Sequence, residues 1–169
     1  MIRAALGLGA NLGDARAALR RAVAALDAHP EVEVRAVSGL WRTAPIGGPE
    51  QPAYLNAVVI VDSALAPDAL LALAHELEAA AGRQRDVRWG PRTLDVDVID
   101  VLGWRSPGPA LQVPHPRAHE RAFVLAPLSE VEPGWVLQPE GLPARTAARW
   151  LEHTAGQGVV DLGDGDWWR

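Results

Sequence analysis

The stretch from Arg88 to Asp100, RWGPRTLDVDVID, combines residue types that suit phosphate chemistry. Its second half is rich in β-branched and aliphatic residues, which predicts a β-strand. Because side chains alternate along a strand, Asp95 and Asp97 point to the same face, about 6.6 Å apart along the chain. Two carboxylates this close repel each other unless a cation lies between them. Their hard oxygens suit Mg²⁺, which leaves coordination positions open for water and substrate phosphates.

The alternative is a strand with one face in water, where aspartates need no cation. The residues before the strand favour the metal site, because four arginines fall within ten residues there: Arg83, Arg85, Arg88 and Arg92. Guanidinium groups match phosphate oxygens with paired donors, so the combination is typical of a polyphosphate site. A solvated basic loop partly neutralised by Asp86 is the competing interpretation. Asp100 has the opposite parity on the strand, and we expect it to be a surface charge.

Further candidates lie elsewhere in the chain. His115 lies between two prolines in VPHP, which favours a fixed loop histidine near the site, although an ordinary loop histidine is the more common case. Tyr54 and Phe123 are the sole tyrosine and phenylalanine, and core packing is the simplest explanation for both. Asn56 shares a strand face with Tyr54, so the pair offers a stacking surface and an amide. Trp89 is the one tryptophan inside the arginine-rich loop.

Composition narrows the class of protein. The chain has 169 residues, a net charge of −5 and no cysteine, which predicts one domain over residues 1–169 and excludes thiolate chemistry. All 16 basic residues are arginine, so a lysine Schiff base and a Walker-type phosphate lysine are impossible. The acidic balance argues against a nucleic-acid partner, and no apolar run suits a membrane span or signal peptide. We therefore expect a monomeric cytoplasmic enzyme with small-molecule substrates.

The order of predicted elements indicates an α+β fold. The predicted strands are residues 3–10, 31–41, 53–63 and 93–102, and the predicted helices are residues 14–29 and 66–83. This β-α-β-β-α-β order is that of the ferredoxin-like fold, an antiparallel sheet with helices packed on it. Residues 117–131 suit a short helix or an extended arm, and residues 142–153 a last helix. The tail from about residue 155 is either a poorly packed end or a final edge strand.

The chain resembles the hydroxymethyldihydropterin pyrophosphokinase family of the folate pathway. The resemblance rests first on RWGPRTLDVDVI at residues 88–99, and extends to LGANLGD, WRTAPIGGPEQPAYLNAVV, HELEAAAGRQR and VPHPRAHERAFVLAPL. It covers residues 2 to about 128. It implies a three-layer αβα ferredoxin-like sandwich. It also implies transfer of the β,γ-pyrophosphoryl group of ATP to 6-hydroxymethyl-7,8-dihydropterin, with release of AMP.

The resemblance also implies roles for individual residues. Two Mg²⁺ ions would be held by Asp95 and Asp97, which with Arg83 and Arg92 form the implied catalytic set. The implied ATP contacts are Glu78, Arg85, Trp89, Arg92, His115 and Arg121. The implied pterin contacts are Thr43, Ala44, Ile46, Tyr54, Asn56 and Phe123, with the pterin stacked between the two rings and Asn56 binding its polar edge.

Two alternatives of other classes remain. A two-metal phosphodiesterase also uses paired aspartates and arginines, but it needs further acidic ligands, and an acidic chain is a poor partner for polynucleotides. A catalytically silent ferredoxin-like nucleotide-binding module is the other, because fold alone does not determine function. The combination of aspartates, arginines and a stacking pair favours the enzyme.

Overall fold

A computed structural model describes residues 1–44, 50–82 and 93–169 of the chain. The strands are β1 (Ile2–Ala10), β2 (Val32–Val37), β3 (Trp41–Thr43), β4 (Tyr54–Ser63), β5 (Asp95–Val101), β6 (Ser106–Pro107), β7 (Gln112–Val113), β8 (Val136–Leu137), β9 (Arg145–Thr146) and β10 (Val160–Asp161). The helices are α1 (Ala15–Ala28), α2 (Pro67–Ala80), α3 (Ala122–Val131) and α4 (Ala147–Leu151), with a 3₁₀ turn at Ala118–Glu120. Among the described residues, no helix is long and apolar enough to cross a membrane.

The main sheet has the ferredoxin-like strand order, which confirms the predicted fold class. Strand β1 is central and pairs antiparallel with β4 on one side and β5 on the other, while β2 pairs with the far edge of β4. Helices α1 and α2 pack on one face over a cluster that includes Leu6, Leu8 and Val98. Helix α3 and the segment around α4 cover part of the other face, where Val58 and Ile99 are buried. The result is the predicted three-layer arrangement.

The predicted second strand, residues 31–41, is not continuous. Strands β2 and β3 both pair with β4, but the regular ladder is interrupted between them, at residues 38–40. The Ser38 hydroxyl accepts a hydrogen bond from Val58 N (2.9 Å), so a side chain replaces the missing ladder partner. The Glu130 carboxylate of α3 accepts from Gly39 N (2.6 Å). The sequence pattern missed this break because hydrophobic alternation continues through it.

The prediction that Asp100 is a surface charge is wrong. Strand β1 residues Ala5 and Leu6 pair with Asp100 and Val98, so Ile99 is an extra residue in β5, a β-bulge. The bulge shifts the alternation, and Asp100 turns toward the face of Ile99 instead of the opposite face. There it is 6% exposed and accepts a hydrogen bond from Trp135 Nε1 (2.9 Å). Parity along a strand holds only while the strand is regular.

The C-terminal part of the chain packs on the sheet. The predicted helix-or-arm at residues 117–131 is the 3₁₀ turn followed by α3, and the predicted last helix is shortened to α4. Strand β10 pairs with the outer edge of β3, which makes the tail an edge strand. Trp167 is 2% exposed and donates from Nε1 to Ser38 O (2.8 Å), so the tail is anchored in the core.

Burial of Asp100 predicts a pH-dependent stability. Desolvation raises the pKa of Asp100 to about 6, against the opposing hydrogen bond from Trp135. A folded-state pKa above the unfolded value means that this group stabilises the fold most at low pH and loses that contribution as pH rises through about 6. Asp100→Asn keeps an acceptor oxygen but cannot ionise, so its free energy of unfolding should rise relative to wild type by up to about 3 kcal/mol between pH 4 and pH 8.

Urea unfolding of both proteins at several pH values measures this difference. The exposed Asp27→Asn on α1 is the matched control and should show no such trend. A constant difference between wild type and Asp100→Asn across that range would contradict the assignment.

Candidate active site

A cleft of about 300 Å³ opens on the sheet face that α3 covers, next to the N-terminal end of that helix. Most of the sequence-predicted residues in the described ranges line it: Thr43, Ala44, Tyr54, Asn56, Asp95, Asp97, His115, Arg121 and Phe123. They come from β3, β4, β5, the segment after β7 and the start of α3. The structure therefore brings together residues that are up to eighty positions apart in the chain.

The floor of the cleft is the central strand, and it carries no side chains. Gly7 and Gly9 of β1 line the cleft. Gly9 is paired with Asn56 on one side and Asp95 on the other. A Cβ atom at Gly9 would lie 3.1 Å from the Asn56 Oδ1 atom, closer than ordinary contacts allow. The sequence analysis did not single out these glycines, although their alternation with Leu6, Leu8 and Ala10 indicates a strand with one bare face.

One wall of the cleft is acidic. Asp95 and Asp97 lie on the same face of β5, as the strand pattern predicted, with Asp95 half-buried and Asp97 exposed. Directly opposite on β1 are Gly9 and Gly7, which leave space beside both carboxylates. Two hard carboxylates that line a cleft fit a divalent cation that keeps some ligand positions for water and phosphate. Among the described residues, no cluster of three or more potential ligands is present.

Glu78 does not line the cleft. It is 3% exposed, and its Oε1 atom accepts a hydrogen bond from Val96 N (2.9 Å) on the outer edge of β5. The backbone amide between the two aspartates is thereby satisfied, which holds the acidic wall in place. The prediction that Glu78 contacts ATP stays a prediction, and the contact to Val96 is an additional role that sequence reasoning missed.

The opposite end of the cleft suits a flat polar ring. Asn56 is buried, and its Nδ2 atom donates to Thr43 Oγ1 (3.0 Å), which fixes the orientation of the amide. Tyr54 lies on the same face of β4, two residues before Asn56, and Phe123 faces the cleft from the first turn of α3. An aromatic ring on each of two elements, with an oriented amide between them, is an arrangement that can hold a planar heterocycle by stacking and hydrogen bonds.

A cationic wall faces the aspartates. Arg121 is partly buried at the start of α3, with its guanidinium carbon 5.5 Å from the Phe123 ring centroid. Burial and Arg117 lower the pKa of Arg121, while the charges of Asp97 and Asp95 act in the opposite direction. Arg117, which was not predicted, also lines the cleft. Its position was missed because nothing in its spacing distinguishes it from a surface arginine.

His115 is fixed by one hydrogen bond from its backbone and one to its ring. Its backbone N–H donates to Ile99 O (2.7 Å), which attaches the segment to the bulge of β5. Its Nδ1 atom accepts from Arg117 N (3.2 Å), so the neutral ring carries its proton on Nε2. Burial, then Arg121 and Arg117, lower the pKa of His115 to about 4. A neutral imidazole with an N–H donor therefore lies beside two arginines.

Five predicted site residues lie outside the described residues: Ile46, Arg83, Arg85, Trp89 and Arg92. Their predicted roles are neither supported nor opposed by the geometry. The described residues alone define an α+β protein with a cleft that has an acidic wall, a cationic wall and an aromatic end. This is the class of site that binds an anionic group with its metal beside a planar ring.

Comparison with known proteins identifies the family. The sequence profile of 7,8-dihydro-6-hydroxymethylpterin-pyrophosphokinase (HPPK) matches residues 5–133, and the chain belongs to this family. The 2-amino-4-hydroxy-6-hydroxymethyldihydropteridine pyrophosphokinase of Methylorubrum extorquens is 46% identical over 140 residues, which cover 83% of this chain and 89% of that protein. The Bacillus subtilis protein of the same name is 44% identical over 126 residues, 75% of each chain.

Solved structures support the fold. Wild-type Plasmodium falciparum HPPK-DHPS aligns with a TM-score of 0.66 over 90% of this chain and 41% of that chain, at 13% identity. The same protein with pteroate gives a TM-score of 0.64. This chain spans less than half of those chains, and at such low identity the likeness establishes the fold alone.

The bare floor predicts a strict requirement for glycine at position 9. In Gly9→Ala the new methyl group displaces the Asn56 amide, so affinity for 6-hydroxymethyl-7,8-dihydropterin should fall by about tenfold or more. Titration calorimetry measures this affinity. Gly134→Ala, where a Cβ atom meets nothing within 4 Å, is the matched control. Equal affinity in Gly9→Ala and wild type would show that the ring does not lie over this part of the floor.

The contacts of His115 predict an unusual titration. Its folded-state pKa lies below the ordinary value, so the ring stays neutral as pH falls through 6.5, and the fold loses stability from this group between pH 6.5 and about 4. The ring signal in NMR spectra, assigned with His115→Gln, should titrate near pH 4. In Arg121→Ala the pKa should rise, because a neighbouring charge is lost and the ring gains water. A His115 pKa near 6.5 in wild type would refute the arrangement.

Proposed function

We propose that this chain carries out the reaction of its family with ATP bound along the two charged walls and the pterin at the aromatic end of the cleft. The reaction transfers a pyrophosphoryl group to the hydroxymethyl group of the dihydropterin in folate synthesis, with ATP as donor and AMP as the second product. The observation that carries the proposal is the placement of Asp95 and Asp97 opposite Arg121 and His115, beside the ring site of Tyr54, Asn56 and Phe123.

The aspartates are the proposed ligands of two Mg²⁺ ions. Both carboxylates face the cleft from one strand face, and the glycines opposite leave space for ions with bound water. Bound Mg²⁺ supplies positive charge that offsets the charge of the phosphate oxygens. The support comes from the chemistry of the donors and from the family, in which Asp95 and Asp97 match the signature motif.

The remaining residues of the cleft have proposed roles in binding and alignment. Arg121 and the neutral His115 present N–H donors toward the space beside the aspartates, which suits phosphate oxygens. Tyr54 and Phe123 hold the ring by stacking, and Asn56 binds its polar edge. A pterin held in this way points its hydroxymethyl group toward the phosphates. The favourable free energy of binding then offsets the entropy cost of aligning the hydroxyl with the phosphorus atom that it attacks. Arg83, Arg85, Trp89, Arg92 and Ile46 keep their proposed roles from the family resemblance.

The wider setting of the protein is also a proposal. We infer one domain over residues 1–169 that acts as a monomer in the cytoplasm, without a nucleic-acid partner. The net charge of −5 disfavours binding to nucleic acid. Neither a phosphodiesterase nor a silent binding module is favoured by the relatives of this chain, which are named as pyrophosphokinases.

A product assay tests the reaction and the metal together. Purified protein, ATP, Mg²⁺ and 6-hydroxymethyl-7,8-dihydropterin should give AMP in amounts equal to the pterin diphosphate. In Asp97→Asn the rate should fall by about 100-fold or more, because a charged ligand is replaced by a neutral one of the same shape. Asp27→Asn is the control, since it changes the same charge far from the cleft and should leave the rate unchanged.

Other outcomes would contradict specific parts of the proposal. ADP as product would indicate an ordinary kinase reaction. AMP formation that is unaffected by chelation of divalent ions would refute the metal role of the aspartates.

A further inference from the structure

Two structural elements that flank the pterin end of the cleft are connected by a segment whose own residues do not line the cleft. One wall is β3 with Thr43, and the other is the start of α3 with Arg121 and Phe123. Residues 157–167 run from the start of α3 to the outer edge of β3 and then into the core; we call this segment the C-terminal clasp. It lies beyond residue 133, where the match to the family profile ends.

At its first end the clasp brackets Arg121. The Gln157 side chain donates from Nε2 to Glu120 O (2.8 Å) and accepts through Oε1 from Ala122 N (2.8 Å). These are the backbone groups immediately before and after Arg121. The second bond satisfies a free N–H at the start of α3, as a capping side chain does. Gln157 is exposed, so its bonds attach the clasp to α3 without contributing to a core.

At its second end the clasp holds β3. Val160 and Asp161 pair with Arg42 and Trp41, and Leu162 N donates to Leu40 O (3.0 Å). Strand β3 has three residues and pairs with β4 on its inner side, so β10 supplies its outer partner. Trp167 then fixes the clasp, because its buried ring donates to Ser38 O (2.8 Å). Three links along residues 38–42 therefore hold the outer side of β3, while β4 holds its inner side.

The clasp closes a loop of contacts around the cleft. At the far end of α3, Glu130 already binds Gly39 N and Trp41 Nε1, at 2.6 and 3.2 Å. The clasp joins α3 and β3 at the end that faces the cleft. Only two residues separate Gln157 from Val160, which limits the distance between the Cα atoms of these two attached residues to about 11 Å. The distance between the walls is thus limited by a short piece of chain.

We propose that the C-terminal clasp sets the separation of the two walls that hold the pterin, which makes Gln157 and Leu162 positioning residues for substrate binding. The inference rests on the proposed function, since it takes the aromatic end of the cleft as the pterin site. Thr43 of β3 pairs with Tyr54 of β4, so the position of β3 bears on that ring. A pterin stacked between Tyr54 and Phe123 requires a fixed gap, because stacking weakens quickly with distance. Release of either end of the clasp lets the distance between the two rings vary. Pterin binding must then restrict that motion, which lowers the affinity.

The test releases each end separately. Gln157→Ala removes both bonds that bracket Arg121. Leu162→Pro removes the N–H that binds Leu40 O, at an exposed side chain. Binding of 6-hydroxymethyl-7,8-dihydropterin is measured by calorimetry in the presence of Mg²⁺ and a non-hydrolysable ATP analogue. Each variant should bind the pterin about five- to tenfold more weakly than wild type. Leu162→Pro should leave affinity for the nucleotide analogue alone unchanged.

Matched controls separate the clasp from general damage. Leu162→Ala keeps the N–H, and Gln138→Ala removes an exposed glutamine elsewhere, so both should bind as wild type does. The double variant Gln157→Ala/Leu162→Pro is the decisive measurement. A clasp fails when either end is free, so the double variant should bind within about twofold of the weaker single variant. If the two substitutions acted independently, their fold losses of pterin affinity would multiply.

The outcomes distinguish this inference from the proposed function. A wild-type protein that binds no pterin would refute the function itself. A wild type that binds, with single variants that bind equally well or a double variant whose losses multiply, would overturn the clasp alone. If Leu162→Pro does not fold, Trp167→Phe replaces it, because it keeps a buried ring and loses the bond to Ser38 O.

Discussion

The pairing of β1 between β4 and β5 is the constraint on which the rest of the site depends. Residues 4–9 of β1 have a neighbour on both sides, so a side chain on the cleft face at Gly9 would fill the space between Asn56 and Asp95. Glycine at positions 7 and 9 removes those side chains while the opposite face keeps Leu6 and Leu8 in the core. The cleft is therefore a gap in the side-chain layer of an otherwise continuous sheet, and its depth is set by backbone.

The negative and the positive charges of the cleft are carried by different kinds of structural element. The carboxylates come from a strand, where their spacing is fixed by the two-residue repeat. The cations come from the turn before α3, where Arg117 and Arg121 follow His115 closely. Burial, and then repulsion by Arg117, lower the pKa of Arg121, and the aspartates opposite counter this shift. Such a site suits a ligand whose negative charges face the arginines and whose bound cation faces the aspartates.

The sequence predicted the chemistry of the site better than its surroundings. Parity predicts that Asp95 shares a strand face with Asp97, and Tyr54 with Asn56, and it holds for both pairs because the strands are regular there. The same rule failed at Asp100, three residues further, since a β-bulge depends on how β1 packs and leaves no mark in the alternation. The break at Ser38 was missed for a similar reason: Glu130 and Trp167, distant in sequence, supply its hydrogen bonds. Contacts between residues that are far apart in the sequence leave no local sequence pattern.

A floor built of peptide groups also limits how the protein can escape an inhibitor. Resistance by point mutation needs a side chain whose replacement excludes the drug and spares the natural ligand. Peptide groups offer no such side chain, and at Gly9 any larger residue must shift the amide of Asn56. A compound whose contacts are confined to the floor and that amide would leave single substitutions few ways to discriminate against it. Compounds that extend toward the walls would meet side chains that selection can exchange.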